Sequence, residues 1–188
     1  MSTAIFPVGH GAGPLASADS VHHVIRVGRT TEQLSEPELG VWVLAHRATG
    51  VPDLLTACLE ADIDDAKRRL DALLSRGLLV TADDAAGFAE RYRLMPLFLG
   101  LGNRPEAPDL FAIGVPGLEP LAAVGATTYE LWQWGWVAPS LWAHCEVLAT
   151  IAEQTEDGPG TPGAQLDLVL GGVSELLAGF VAALDPVS

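Results

Sequence analysis

The sequence predicts an α+β chain that is mostly helical: three short helices closed by a hairpin, then a helical second half with one short strand pair. Three observations lead there. Between Ser35 and Arg76 the apolar residues recur at helical spacing in three separate runs. Leu78–Thr81 and Phe88–Leu94 then read as two strands joined by a polar turn. Charge also changes abruptly along the chain. Ten Lys and Arg against 13 acidic residues up to Arg104 leave −3, whereas 11 acidic residues and no Lys or Arg beyond it leave −11.

With 188 residues, 49% of them hydrophobic, the chain has enough apolar side chain to bury a core and is not an acidic disordered tail. Cys58 and Cys145 lie far apart inside apolar helical patterns. Their spacing suits neither a metal knuckle nor a disulfide framework, which points to a reducing, cytoplasmic compartment. Met1–Ser20 lacks a basic segment and is interrupted by Pro7, Gly9, Gly11, Gly13 and Pro14, so it is expected to be a flexible arm rather than a secretory signal. The most apolar run, Leu166–Leu184, contains Asp167 and Glu175 and does not read as a membrane span.

Residues 21–98 are expected to form the first domain. It opens with a strand over His22–Val27, rich in β-branched residues. Ser35 with Glu38 then makes a capping box, and Pro37 sits in the first turn, where its missing N–H costs nothing. Leu39, Trp42, Val43 and His46 share one face of the helix that follows, which Thr49-Gly50 ends. A second helix over Pro52–Glu60 turns Leu54, Leu55, Cys58 and Leu59 inward. The third runs over Ile63–Arg76, with Ile63, Ala66, Leu70, Leu73 and Leu74 inward and Gly77 as its stop. That phase turns Arg68 and Ser75 outward, flanked by Arg69 and Arg76. The hairpin's tip would be the acidic run Ala82–Gly87.

Residues 99–109, with Gly100, Gly102, Asn103, Pro105 and Pro108, are expected to link this domain to an acidic helical assembly or sensor region over 110–188. Leu110–Val115 and Pro120–Val124 read as a strand pair about Pro116-Gly117. Thr127 and Glu130 form a second capping box. Trp132, Trp134 and Trp136 at spacing two cannot share one helix face, which, with Trp142, marks a candidate effector pocket. Leu166, Leu170, Val173, Leu177, Phe180 and Leu184 step by four and three along a last helix. They form either an internal core face or the seam of a homodimer.

Leu70-Asp71-Ala72-Leu73-Leu74-Ser75-Arg76-Gly77-Leu78-Leu79-Val80, with Arg91-Tyr92-Arg93-Leu94 after it, resembles the winged helix-turn-helix domains of bacterial transcription regulators over residues 35–98. The resemblance implies DNA binding, with Lys67, Arg68, Arg69, Ser75 and Arg76 on the recognition helix and Arg91 and Arg93 beside the wing. Asp62, Asp64 and Asp65 at the start of that helix, and Asp83 and Asp84 at the wing tip, would repel phosphate. The strand ahead of the first helix is also similar to the domains that hold leader peptides in peptide-maturation systems, whose helices follow a small sheet. That resemblance implies a protein or peptide partner bound along a strand edge or helix groove. No catalytic, metal or cofactor site is expected. His144 and Cys145 are adjacent, but helical neighbours point about 100° apart, so the pair reads as structural.

Overall fold

The computed structural model describes residues 3–16, 21–155 and 160–187. Two compact units divide between Asp83 and Asp84, and Leu184–Pro186 return to the first. The boundary therefore falls before residues 99–109, which were expected to link the domains.

The first unit runs β1 (Ile5–Pro7), β2 (His10–Ala16), β3 (Val21–Val27), β4 (Thr30–Leu34), α1 (Glu36–Leu44), α2 (Val51–Glu60), α3 (Ala66–Ser75) and β5 (Leu79–Thr81). The stretch expected as a flexible arm thus carries two strands; residues 1–2 and 17–20 of it lie outside the described residues. β2, β3 and β4 form an antiparallel sheet in that order, while β1 pairs antiparallel with β5. Gly28 takes the left-handed first position of the tight β3–β4 turn, at φ 56°, and fixes the register Val27↔Thr30 through His23↔Leu34.

Helix α1 starts as expected, with the Glu38 carboxylate accepting the Ser35 N–H at 2.8 Å and its Oγ–H at 2.7 Å. Helix α3 ends as expected. Gly77, at φ 68°, donates to Leu74 O and Leu78 donates to Leu73 O, the paired bonds of a Schellman turn. The core joins Ile25, Leu34, Trp42, Leu54, Leu70 and Leu73, all essentially inaccessible. Full burial of each such side chain contributes about 2 kcal/mol. Two inward assignments and one helix boundary need correction. Leu59 is 77% exposed and Val43 faces out, with Val41 buried in its place. Helix α3 begins at Ala66 rather than Ile63, because Asp62 and Asp65 take left-handed φ values of 52° and 54°.

The predicted wing does not form, so the mostly helical winged helix-turn-helix is overturned: the N-terminal part is strand-rich. Of the two strands assigned to the wing, β5 pairs with β1. The other is largely the helix α4 (Ala85–Arg91), because Asp84, assigned to the wing's loose tip, accepts the Gly87 N–H at 3.0 Å and caps it. The helix-forming run Ala85-Ala86-Gly87-Phe88-Ala89-Glu90-Arg91 then buries Phe88 and Ala89.

The second unit continues through β6 (Tyr92–Pro96), β7 (Leu99–Arg104), β8 (Ala107–Gly114), β9 (Ala122–Gly125), α5 (Ala126–Trp134), α6 (Leu141–Thr155), α7 (Pro162–Ala178) and the start of β10 (Ala182–Pro186). β7, β8 and β9 form an antiparallel sheet in that order, and β6 pairs with β10. The expected strand pair is therefore three-stranded, and residues read as a linker supply β7. Helix α5 starts at Ala126 after Gly125, so the Thr127–Glu130 capping box does not form. The last helix is shorter than expected. It ends at Ala178 in a Schellman turn, Phe180 donating to Leu177 O and Val181 to Leu176 O, with Phe180 left-handed at φ 56°. Leu184 belongs to a strand, and Leu166, Val173 and Leu177 are buried inside the chain. No described helix is long and apolar enough to cross a membrane.

Candidate functional site

In the first unit the residues that matter lie where β4 meets the C-terminal end of α3. Closure of the β3–β4 hairpin on Val27↔Thr30 makes that pair hydrogen-bonded, and alternation then directs the main-chain N–H and C=O of Thr31 and Gln33 away from β3. No strand pairs with β4 on that side among the described residues. Gln33 O instead accepts from Arg76 Nη2 at 2.8 Å, and the same guanidinium bridges Glu32 at 2.8 Å and Glu38 at 3.4 Å. Burial pushes the Glu38 carboxyl up, but the hydrogen bonds from Ser35 and the Arg76 charge outweigh it and hold it below its ordinary value.

The remaining basic candidates are engaged locally or lie elsewhere. Lys67 pairs with Asp71 at 3.0 Å and Arg68 with Asp65 at 2.8 Å, both pairs exposed. Arg69 Nε donates to Asp64 O at 2.8 Å, and Ser75 Oγ–H turns back onto Ala72 O. Arg91 and Arg93 belong to the second unit, at the end of α4 and in β6. The seven residues assigned to one recognition surface therefore do not all belong to one unit. Lys67, Arg68, Arg69, Ser75 and Arg76 share α3 or its C-cap, but Lys67, Arg68 and Arg76 meet carboxylates of the same unit, while Arg69 and Ser75 bond to its main-chain carbonyls.

In the second unit α5, α6 and α7 enclose a mostly apolar cleft of about 730 Å³, within the size range of small-molecule sites. Trp134, Val147, Ile151 and Leu168 line it while remaining half exposed. Of the four tryptophans proposed for a pocket, only Trp134 lines the cleft. Trp132 is a core residue whose Nε1–H donates to Val181 O at 2.9 Å. Trp136 is exposed and donates to Gln133 O, and Trp142 is half-buried outside the lining. Sequence reasoning missed Val147, Ile151 and Leu168, whose signal was an apolar residue on the outward face of an amphipathic helix.

His144 and Cys145 part company as expected of helical neighbours: Cys145 enters the core, whereas His144 lines the cleft. Burial raises the Cys145 thiol to about 11 and raises that of Cys58 as well, so neither is a thiolate at neutral pH. His10, within the stretch expected to be a flexible arm, belongs to β2, and its Nδ1 is buried without a hydrogen-bond partner. No group of three or more His, Cys, Asp or Glu is placed to hold a metal ion among the described residues. Compared with known protein families, with characterised proteins and with solved structures, the chain matches none.

Proposed function

We propose that the first unit is a non-catalytic recognition module that takes an extended peptide segment of a partner protein along the outer edge of β4. The observation that carries this reading is the open edge itself, with the main-chain groups of Thr31 directed outward and α3 standing beside it through Arg76. The order of a three-stranded antiparallel sheet followed by three helices also supports it. Helices that follow a small sheet are what the resemblance of the leading strand to leader-peptide recognition domains implies. The local pairing of Lys67 and Arg68 with Asp71 and Asp65, and the assignment of Arg91 and Arg93 to the other unit, weigh against DNA as the partner. The two buried free cysteines fit a cytoplasmic setting.

The test is selection of a random-sequence displayed peptide library on the full chain, followed by titration of the enriched peptides. Thr31→Pro removes the outward N–H without touching a β3 hydrogen bond and should weaken binding about tenfold; Thr31→Val, which keeps that N–H, should bind as the parent does. A gel-shift titration with random-sequence duplex DNA runs alongside. Enriched peptides indifferent to Thr31→Pro, or a salt-dependent DNA shift abolished by Arg68→Glu with Arg69→Glu, would overturn the reading.

A further inference from the structure

The cleft of the second unit holds a polar group that the fold itself leaves unused. His144 is 8% exposed and lines the cleft, and its ring nitrogens have no hydrogen-bond partner among the described residues. Burial lowers its pKa, so at neutral pH the ring is uncharged and one nitrogen offers a lone pair. A ring nitrogen that opens to the cleft with no protein partner is available to a ligand that donates a hydrogen bond. The charges around it have one sign. Glu130 and Glu146 line the cleft with His144, whereas Arg91, Arg93 and Arg104 of the same unit are not among the lining residues. A carboxylate or phosphate head group could accept from the ring N–H but would face two like charges; an ammonium would meet two carboxylates and the ring's lone pair.

We propose that the α5–α6–α7 cleft binds a lipophilic amine, its hydrocarbon body lying against Trp134, Ile151 and Leu168 and its protonated nitrogen donating to His144 under the field of Glu130 and Glu146. Size, apolar lining, an unused buried acceptor and uniform negative charge select this occupant together; none of them does so alone. The exposure of Trp134 at the cleft places a fluorescent reporter beside the ligand.

A matched series tests it by calorimetry and tryptophan fluorescence on the full chain: decylamine, decanol and decanoate, each below its micellar concentration. Decylamine should bind saturably at one site, with decanol weaker and decanoate weaker than decylamine by at least about tenfold. Glu130→Gln with Glu146→Gln should erase the gap between amine and carboxylate while sparing decanol. His144→Phe should weaken decylamine about tenfold. Ile151→Arg, at a half-exposed position that tolerates the change in fold, should abolish binding by placing a cation in the cleft. Decanoate binding as tightly as decylamine, amine binding that survives Ile151→Arg, or no saturable binding by any of the three would overturn the proposal.

Discussion

Asp185 Oδ1 accepts the main-chain N–H of Gly28 at 2.6 Å, joining residues at opposite ends of the chain inside the first unit. Asp185 is 4% exposed, and its neighbour Leu184 accepts the Gly9 N–H at 2.8 Å. The C-terminal strand thus holds the turn whose glycine sets the β3–β4 register. Asp185→Ala would leave the Gly28 N–H without its acceptor. It should cost about 1–3 kcal/mol, read as a lower urea midpoint. A midpoint equal to the parent's would mean that the turn holds itself.

The pH dependence of stability should carry the signature of His46. Its ring is buried against Trp42, 4.5 Å between centroids, and Nδ1 lies 3.0 Å from Trp42 O. A carbonyl only accepts, so Nδ1 bears the proton of the neutral ring. Burial lowers its pKa to about 4, below the usual value near 6.5. The unfolded chain therefore takes up a proton first as pH falls. Stability from this group is complete above about pH 6.5 and is lost progressively towards pH 4, by about 3 kcal/mol in all. In urea titrations the parent should lose more stability than His46→Phe over that window; parallel curves would show that His46 titrates normally.

Short-range chemistry accounts for what was legible in the sequence. The Ser35–Glu38 box, the Gly77 stop and the apolar faces of α1–α3 each depend on residues within a turn or two of one another. What was missed depends on distant partners. β1 and β2 sit among glycines and prolines and form because β5 and β3 supply their hydrogen bonds. The false wing came from reading Phe88–Leu94 as a strand and Asp84 as part of a turn, although its side chain was a readable cap. The end of α7 was hidden because Phe180, not glycine, occupies the left-handed position. The candidate sites were less legible than the fold. The open β4 edge follows from sheet order, and the cleft joins side chains of three helices that no single periodicity connects.

Adjacent glycines in α7 should respond to alanine with opposite signs. A Cβ at Gly171 would meet nothing within 4 Å, so Gly171→Ala gains helix propensity, about 0.5–1 kcal/mol. A Cβ at Gly172 would stand 2.8 Å from Leu131 Cδ2, so close that the Leu131 side chain, otherwise buried, must shift. Gly172→Ala should cost about 1–3 kcal/mol by forcing α5 and α7 apart. Thermal melts of the two variants decide it, and equal shifts would mean that α7 does not approach α5 as closely as described.

Arg76 and Lys67 both form ion pairs, yet only one should matter to stability. The Lys67–Asp71 pair is 71% and 57% exposed, so water screens it and holding two flexible side chains offsets the gain. Lys67→Ala should change the unfolding free energy by less than about 0.5 kcal/mol. The Arg76 side chain is 29% exposed and meets Glu32, Glu38 and Gln33 O together, tying the end of α3 to β4 and to the capping box of α1. Its removal would leave two half-covered carboxylates without their cation, so Arg76→Ala should cost about 1–3 kcal/mol. Removal also frees Gln33 O on the β4 edge, so peptides selected on the parent should gain a main-chain partner there and bind no more weakly. Tighter peptide binding together with lower stability would identify Arg76 as a guard of that edge. Stability unchanged in both variants would reduce the Arg76 network to an ordinary surface pair.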